Sequence, residues 1–317
     1  MNVGHVRATT RLLERIAREL KRHLPSAVSG DDTGVHQARV ASRRLREAVP
    51  ILAGGLKGSK AGKARRKIRR LTQALGAVRE LDVTLGILDE LARVEGVPRS
   101  AVEAVRARVI GERDAGREAM LKRLDRVNVE KLHRRLGSVG EALEAATNEQ
   151  WRDTLGARIV KRAERLAGTI DEAGQMYAPE RLHQVRIATK KLRYGLELAA
   201  GVGVTAAAGQ VRTLKRAQDL LGRMHDLHVL QGHVAAVHAE FEPGSGVSHQ
   251  GLDALAQHIE CECRLLHGRY MAASSGLRNL ATGVQATIIP PLARPARRRP
   301  VKMSLPRAAA AIAGGRR

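Results

Sequence analysis

The sequence predicts an all-α protein, on three observations. Prolines at 25, 50, 98, 179 and 243 leave long intervals between them, and five more crowd into 290–306. Long helices are therefore permitted through the body of the chain. Alternating β-branched and aromatic residues are scarce, which argues against strands. The aromatics are Trp151, Tyr177, Tyr194, Phe241 and Tyr270 in 317 residues. The 43% of apolar residues is thus mostly Leu, Val, Ile and Ala, side chains that suit packed helices and suffice for a sizeable core.

The expected helices lie near 4–24, 32–53, 61–77, 79–95, 98–145, 150–174, 179–200, 207–222, 224–240 and 248–276. The first stops short of Pro25. Asp31, Asp32 or Thr33 caps the second, and Gly54-Gly55 ends it. Region 98–145 reads as one helix or two, because Gly111, Gly116, Gly137 and Gly140 interrupt it. Pro179 suits the first turn of the helix it opens, and Gly201 closes that helix. From 293 onward the chain carries eight basic residues and no acid, with Pro and Gly interspersed. That composition predicts disorder.

The chain repeats itself. HQARVASRRLR begins at His36, and HQVRIATKKLR begins at His183, 147 residues later. LGAVRELDV begins at Leu75, and its partner LGRMHDLHV begins at Leu221, 146 residues later. Two matches in the same order at nearly one offset indicate an internal duplication. VRATTRLLERIARELKRHL precedes the first copy as ARIVKRAERLAGTI precedes the second. Each copy holds about four helices. The expected division is 1–147 for the first copy, 148–285 for the second and 286–317 for a basic tail.

Charge points to a partner. The net charge is +24 with a pI near 11.3. Without the eight cations of the tail the body still carries +16. Such an excess implies a polyanion, either nucleic acid, an anionic membrane surface or a polyphosphate. No stretch approaches the roughly 20 apolar residues of a membrane span, and the N-terminus has no apolar signal core. Cys261 and Cys263 supply half a zinc set at most, and free thiols fit a reducing cytoplasm.

The duplicated segments concentrate that charge. At about 100° per residue, His36, Arg39, Arg43 and Arg46 share an arc of roughly 80°. Ala38, Ala41, Leu45, Val49 and Leu52 lie opposite. In the second copy His183, Arg186, Lys190 and Arg193 share one face, and Val185, Ala188, Leu192, Leu196 and Ala199 the other. Each helix should bury one stripe and present a basic rail. A solvated amphipathic face is the plain alternative. However, like charges at i, i+4, such as Arg39 and Arg43, cost a few tenths of a kcal/mol per pair. Repeating that cost in both copies suggests that an external anion relieves it. The next helix adds Lys63, Arg66 and Arg70 flanked by Arg69, with Arg212, Lys215 and Arg216 as counterparts. If the two helices of a copy pack side by side, their basic faces form a groove. Arginine's planar fork grips phosphate oxygens bidentately, and lysine adds an adaptable point charge.

Arg79-Glu80-Leu81-Asp82 corresponds to His225-Asp226-Leu227-His228. Its acids are expected to orient the rail arginines through ion pairs. A metal-dependent phosphohydrolase using His183, His225 and Asp226 is a weaker alternative, because Arg79 cannot ligate a metal at the matching place. No P-loop is present. No catalytic residue, metal or cofactor is expected.

HQARVASRRLREAVPIL with LGAVRELDV, and HQVRIATKKLRYGLEL with LLGRMHDLHVL, resemble the conserved histidine α-helical domain, CHAD, over roughly 5–275. The resemblance implies two four-helix bundles related by a pseudo-twofold axis, with a basic groove or cavity between them. It implies non-enzymatic binding of inorganic polyphosphate and association with polyphosphate granules in the cytoplasm. The anion-binding positions it implies are His36, Arg39, Arg43, Arg46, Arg66 and Arg70 in the first copy. In the second they are His183, Arg186, Lys190, Arg193, Arg212, Lys215 and Arg216. The acidic barrel strands of a CYTH domain, to which some relatives are fused, have no match here. Nucleic-acid binding is the alternative, with few aromatics for base stacking.

Overall fold

The computed structural model describes residues 3–53, 59–146, 150–240 and 248–292, and they are helical apart from short turns. Nine helices occur among the described residues. They are α1 (Val3–Ser29), α2 (Asp32–Leu52), α3 (Ser59–Leu91), α4 (Arg99–Asp125), α5 (Val129–Ala146), α6 (Gln150–Ala173), α7 (Pro179–Gly201), α8 (Ala206–Ala239) and α9 (His249–Leu292). None is long and apolar enough to cross a membrane.

Local chemistry sets the start of α2. Of the three candidate caps Asp31 is the one used, its carboxylate accepting the N–H groups of Thr33 and Gly34 at 3.4 and 2.7 Å. Gly30 takes the left-handed turn between α1 and α2 at φ +89°. A Cβ on Gly34 would lie 2.6 Å from that of Ser26, so α1 and α2 approach too closely there for any side chain. Pro179 stands in the first turn of α7 as expected. Gly201 is the last residue of α7, as expected. It remains helical, and the left-handed residue is Gly203 at φ +102°. Gly54-Gly55 and residues 293–317 lie outside the described residues.

Two pairs of expected helices are single helices. Residues 61–77 and 79–95 fall largely within α3, and 207–222 and 224–240 within α8. Gly76 and Gly222 sit inside these helices with open space where a side chain would be. An interior glycine costs a helix only about 1 kcal/mol relative to alanine, which packing of the flanking buried leucines outweighs. Conversely, 98–145 does break, at residues 126–128, where no glycine stands. Asn128 restarts the chain by accepting the Lys131 N–H at 2.7 Å. Helix α1 runs through Pro25, and α9 continues to Leu292, so 286–292 are helical rather than part of a tail.

Helices α1–α5 pack chiefly on one another, and so do α6–α9. Helix α2 lies against α1 and α3, and α7 lies against α6 and α8. Helix α4 covers α3 and α5 covers α1, whereas α9 alone covers both α8 and α6. The first group therefore has five helices where the second has four. The groups meet where α2 touches α6 and α7, and where α3 and α4 touch α8. Both expected apolar stripes are buried: Ala38, Ala41, Leu45, Val49 and Leu52 on α2, and Val185, Ala188, Leu192, Leu196 and Ala199 on α7. They join one continuous aliphatic core.

Leu45 is fully buried. Leu45→Ala is expected to cost about 2–5 kcal/mol in urea unfolding followed by circular dichroism. Val28→Ala, at an exposed site, should stay within about 0.5 kcal/mol of the parent.

Candidate anion-binding site

With their apolar stripes turned inward, α2 and α7 bring their rails together. Lys190 feels Arg43 and Arg39 of α2 as well as Arg186 and Arg193 of its own helix. Arg43 in turn feels Arg46, Arg186 and Arg193. Tyr194 stands between the rails, its ring centroid 5.4 Å from the guanidinium carbon of Arg43 and 4.9 Å from that of Arg193. Tyr194 was not among the expected site residues, although its signal was legible. At about 100° per residue it falls on the same helix face as His183 and Lys190.

The cations differ in how they are compensated. Arg193 is engaged, pairing with Glu197 and donating from Nε to Gln218 Oε1 at 2.7 Å. Arg186 reaches Asp226 loosely, at 3.9 Å. Among the described residues, no carboxylate lies within ion-pair distance of Arg39, Arg43 or Lys190. Arg39 Nε is buried and has no hydrogen-bond partner. Burial, with neighbouring Arg43 next in size, pulls Arg39 down to about 10. Burial and the surrounding arginines pull Lys190 much further, to about 7. The charge of an ammonium is localised on one nitrogen, and it yields a proton more readily than a delocalised guanidinium does.

The histidines line one end of this cluster. His183 and His225 place their Nδ1 atoms 3.1 Å apart, with ring centroids at 4.5 Å. Burial first, and then Arg186, lowers both, His225 to about 4. Arg79 corresponds to His225 in the repeat and acts on His36, which is lowered by burial and then by Arg79 and Arg39. The Nδ1 of His36 is buried without a partner. The duplicated positions are thus neighbours in both copies, through a ring contact between histidines in the second and through the charge of Arg79 in the first. Among the described residues no group of three His, Cys, Asp or Glu side chains is arranged to hold a metal. A divalent cation beside His183 and His225 would also meet the field of Arg186 and Lys190.

The remaining expected residues distribute unevenly. Arg46 and Arg66 come together with Arg65 and Arg69 around a cavity of about 330 Å³ between α2 and α3, with Pro50 and Gly62 and no acid. Arg70 is exposed and lies in range of Lys67. Arg212, Lys215 and Arg216 are exposed on α8, and among the described residues no ion pair or hydrogen bond ties them to the α2–α7 cluster. Asp82 does not orient a rail arginine. It is buried and accepts from Arg113 Nε at 2.7 Å, while Asp32 holds the same guanidinium at 2.6 Å. A larger cavity of about 540 Å³ lies behind Tyr194, between α1, α2, α7 and α8. Glu19, Glu47 and Glu197 line it, paired with Arg44, Arg162 and Arg193. Its carboxylates make it a poor receptacle for anions.

An all-helical chain with uncompensated cations gathered where its two halves meet is thus defined. The CHAD domain model matches residues 11–235, and the chain belongs to the CHAD domain family. The crystal structure of the CHAD domain from the plant Ricinus communis superposes with a TM-score of 0.58 at 22% identity, covering 89% of this chain and 91% of that one. PptA from Streptomyces chartreusis superposes with a TM-score of 0.50 at 16% identity, over 89% of this chain and 99% of the other. At these identities the likeness is one of fold. No curated protein matches the chain by sequence.

The histidine shifts fix the sign of an acid dependence. His225 is held at about 4 in the fold, below the roughly 6.5 of an unfolded histidine. Between those values the unfolded chain binds the extra proton, so stability is lost as pH falls. His36 and His183 act in the same direction. The melting temperature should drop from pH 6.5 towards pH 4, and His225→Asn should flatten that drop relative to the parent.

Proposed function

We propose that the chain binds inorganic polyphosphate, without chemical turnover, in a basic groove between α2 and α7. The observation that carries this reading is a cluster of Arg39, Arg43 and Lys190 with no carboxylate partner, flanked by Arg186 and His183. A phosphate chain supplies the anions the fold withholds, at short spacing and with oxygens suited to guanidinium forks. Arg46 and Arg66 extend the path beyond α2 into the cavity they share with Arg65 and Arg69. Exposed Arg70, Arg212, Lys215 and Arg216 supply outer contacts to a long polymer. The two halves are read as copies about a pseudo-twofold axis, divided near residue 147, so that one chain threads past both rails. Localisation to polyphosphate granules in the cytoplasm follows from that affinity.

Nucleic acid is the weaker reading. Base stacking needs free aromatic faces, and Tyr194, the aromatic ring at the cluster, is already flanked by Arg43 and Arg193. A phosphohydrolase built on His183, His225 and Asp226 is weaker still, because Asp226 is directed to Arg186.

Salt titration tests the polyphosphate reading. By analogy with single-stranded nucleic acid, each neutralised phosphate contributes roughly 0.7 to the slope of log affinity against log salt. Arg43→Ala with Arg46→Ala should lower affinity for long-chain polyphosphate and reduce the slope by about 1.4. Lys122→Ala, a remote exposed site paired with Glu118, should leave the slope unchanged. An unaltered slope in the double variant would rule out the rails. A second dependence follows from Lys190. A bound polyanion favours its ammonium form, so affinity should fall as pH rises above about 7. Isothermal titration in buffers of different ionisation enthalpy should show proton uptake there.

A further inference from the structure

We propose that the cavity between α2 and α3 receives the terminal phosphate of a linear polyphosphate, and that its duplicate in the second half does not. The inference rests on the polyphosphate reading and adds which part of the polymer this place takes. Arg46, Arg65, Arg66 and Arg69 surround the cavity of about 330 Å³, with Pro50 and Gly62 completing its lining. All four arginines are exposed, so their guanidinium groups can turn onto an entering anion. None of them has an ion pair among the described residues. Beneath them α2 and α3 pack on each other, and Ala48, Val49, Ala64 and Ile68 are buried in the core. A polymer entering here cannot pass on between the helices.

The duplication supplies the comparison. The offsets of 147 from α2 to α7 and 146 from α3 to α8 place Pro50 opposite Glu197, Gly62 opposite Ala208 and Arg65 opposite Val211. Glu197, Ala208 and Val211 all line the cavity of about 540 Å³ behind Tyr194. The two cavities are thus related by the repeat, and their chemistry is opposed. Glu197 pairs with Arg193, the counterpart of Arg46. The first half leaves that arginine open beside a proline, and the second half closes it with a carboxylate. Ala208 and Val211 offer no side-chain donor to an anion.

Charge decides which part of a polymer fits the first cavity. An interior phosphate bears a single charge and gives up oxygens to bridges on both sides. A terminal phosphate has a second ionisation near pH 6 by analogy with a phosphorylated side chain, and carries about −1.5 to −2 at pH 7 on three oxygens. Several guanidinium forks around one cavity match those oxygens better than they match a passing bridge. Arg46 belongs to both places, since it follows Arg39 and Arg43 on the α2 rail and also lines the cavity. An end held there leaves the rest of the polymer on the rails, so the chain is bound in one direction, from α3 towards α7.

The test is isothermal titration of the full chain with three inorganic ligands. They are linear tripolyphosphate, cyclic hexametaphosphate, which has more charge but no end, and long-chain polyphosphate. Arg65→Gln with Arg69→Gln should weaken tripolyphosphate binding roughly tenfold and hexametaphosphate binding by less than about threefold. Arg212→Gln with Lys215→Gln removes as much charge from exposed sites of the second half and should weaken both ligands alike. Equal losses for the linear and cyclic ligands in the first variant overturn the chain-end assignment, and so does a parent that does not bind tripolyphosphate. In either case long-chain binding by the parent leaves the polyphosphate reading standing. A parent that binds none of the three defeats that reading and the chain end with it.

Discussion

The structure depends on holding two cationic helix faces against one another without a matching set of carboxylates. Arg39, Arg43 and Lys190 are the centre of that arrangement, and each is lowered first by burial and then by its neighbours. Unit charges about 7 Å apart interact by roughly 2 kcal/mol at an effective dielectric near 20. What opposes this is the other side of the same helices. Fully burying a Leu or Val contributes about 1.5–3 kcal/mol, and α2 alone buries Val35, Leu45, Val49, Ile51 and Leu52. The rails stay together because the stripes behind them cannot leave the core.

Polar ties refine the spacing. Arg162 of α6 donates to the carbonyl of Lys191 on α7 at 2.9 Å and pairs with Glu47 of α2. One guanidinium thus joins three helices beside the cluster. Glu47 and Glu197, close in sequence to the rails, are spent on Arg162 and Arg193. Acids near the rails in sequence therefore leave most of the cluster uncompensated. Burial first, and then the same field, lowers His36, His183 and His225. A bound anion would reverse the sign of the field at His183, His225 and His36 and draw protons onto them.

Much of this was legible in the sequence for definite reasons. Helical periodicity assigned Leu45 and Leu192 to the core and Arg39 and Lys190 to the opposite face. The offset of His183 from His36 announced two copies. Other features were hidden. Residues 61–77 and 79–95, and 207–222 and 224–240, read as separate helices, yet packing carries α3 and α8 through Gly76 and Gly222. Asp82 looked like a partner for the rails, yet Arg113, remote in sequence, holds it. Arg212, Lys215 and Arg216 repeat Arg66, Arg69 and Arg70 by position, yet they stand exposed and unconnected to the cluster.

The sequence by itself determined the helical class, the membership of each stripe and the excess of positive charge. These depend on composition and on a period of about 3.6 residues, both local properties. Only the tertiary structure decided which cations meet and which are already paired. Lys190 is lowered by burial first and then by Arg43, Arg186 and Arg39, and both its burial and the approach of Arg39 and Arg43 come only after α2 and α7 have packed. Electrostatic free energy belongs to distances through space, and distance along the chain does not encode it.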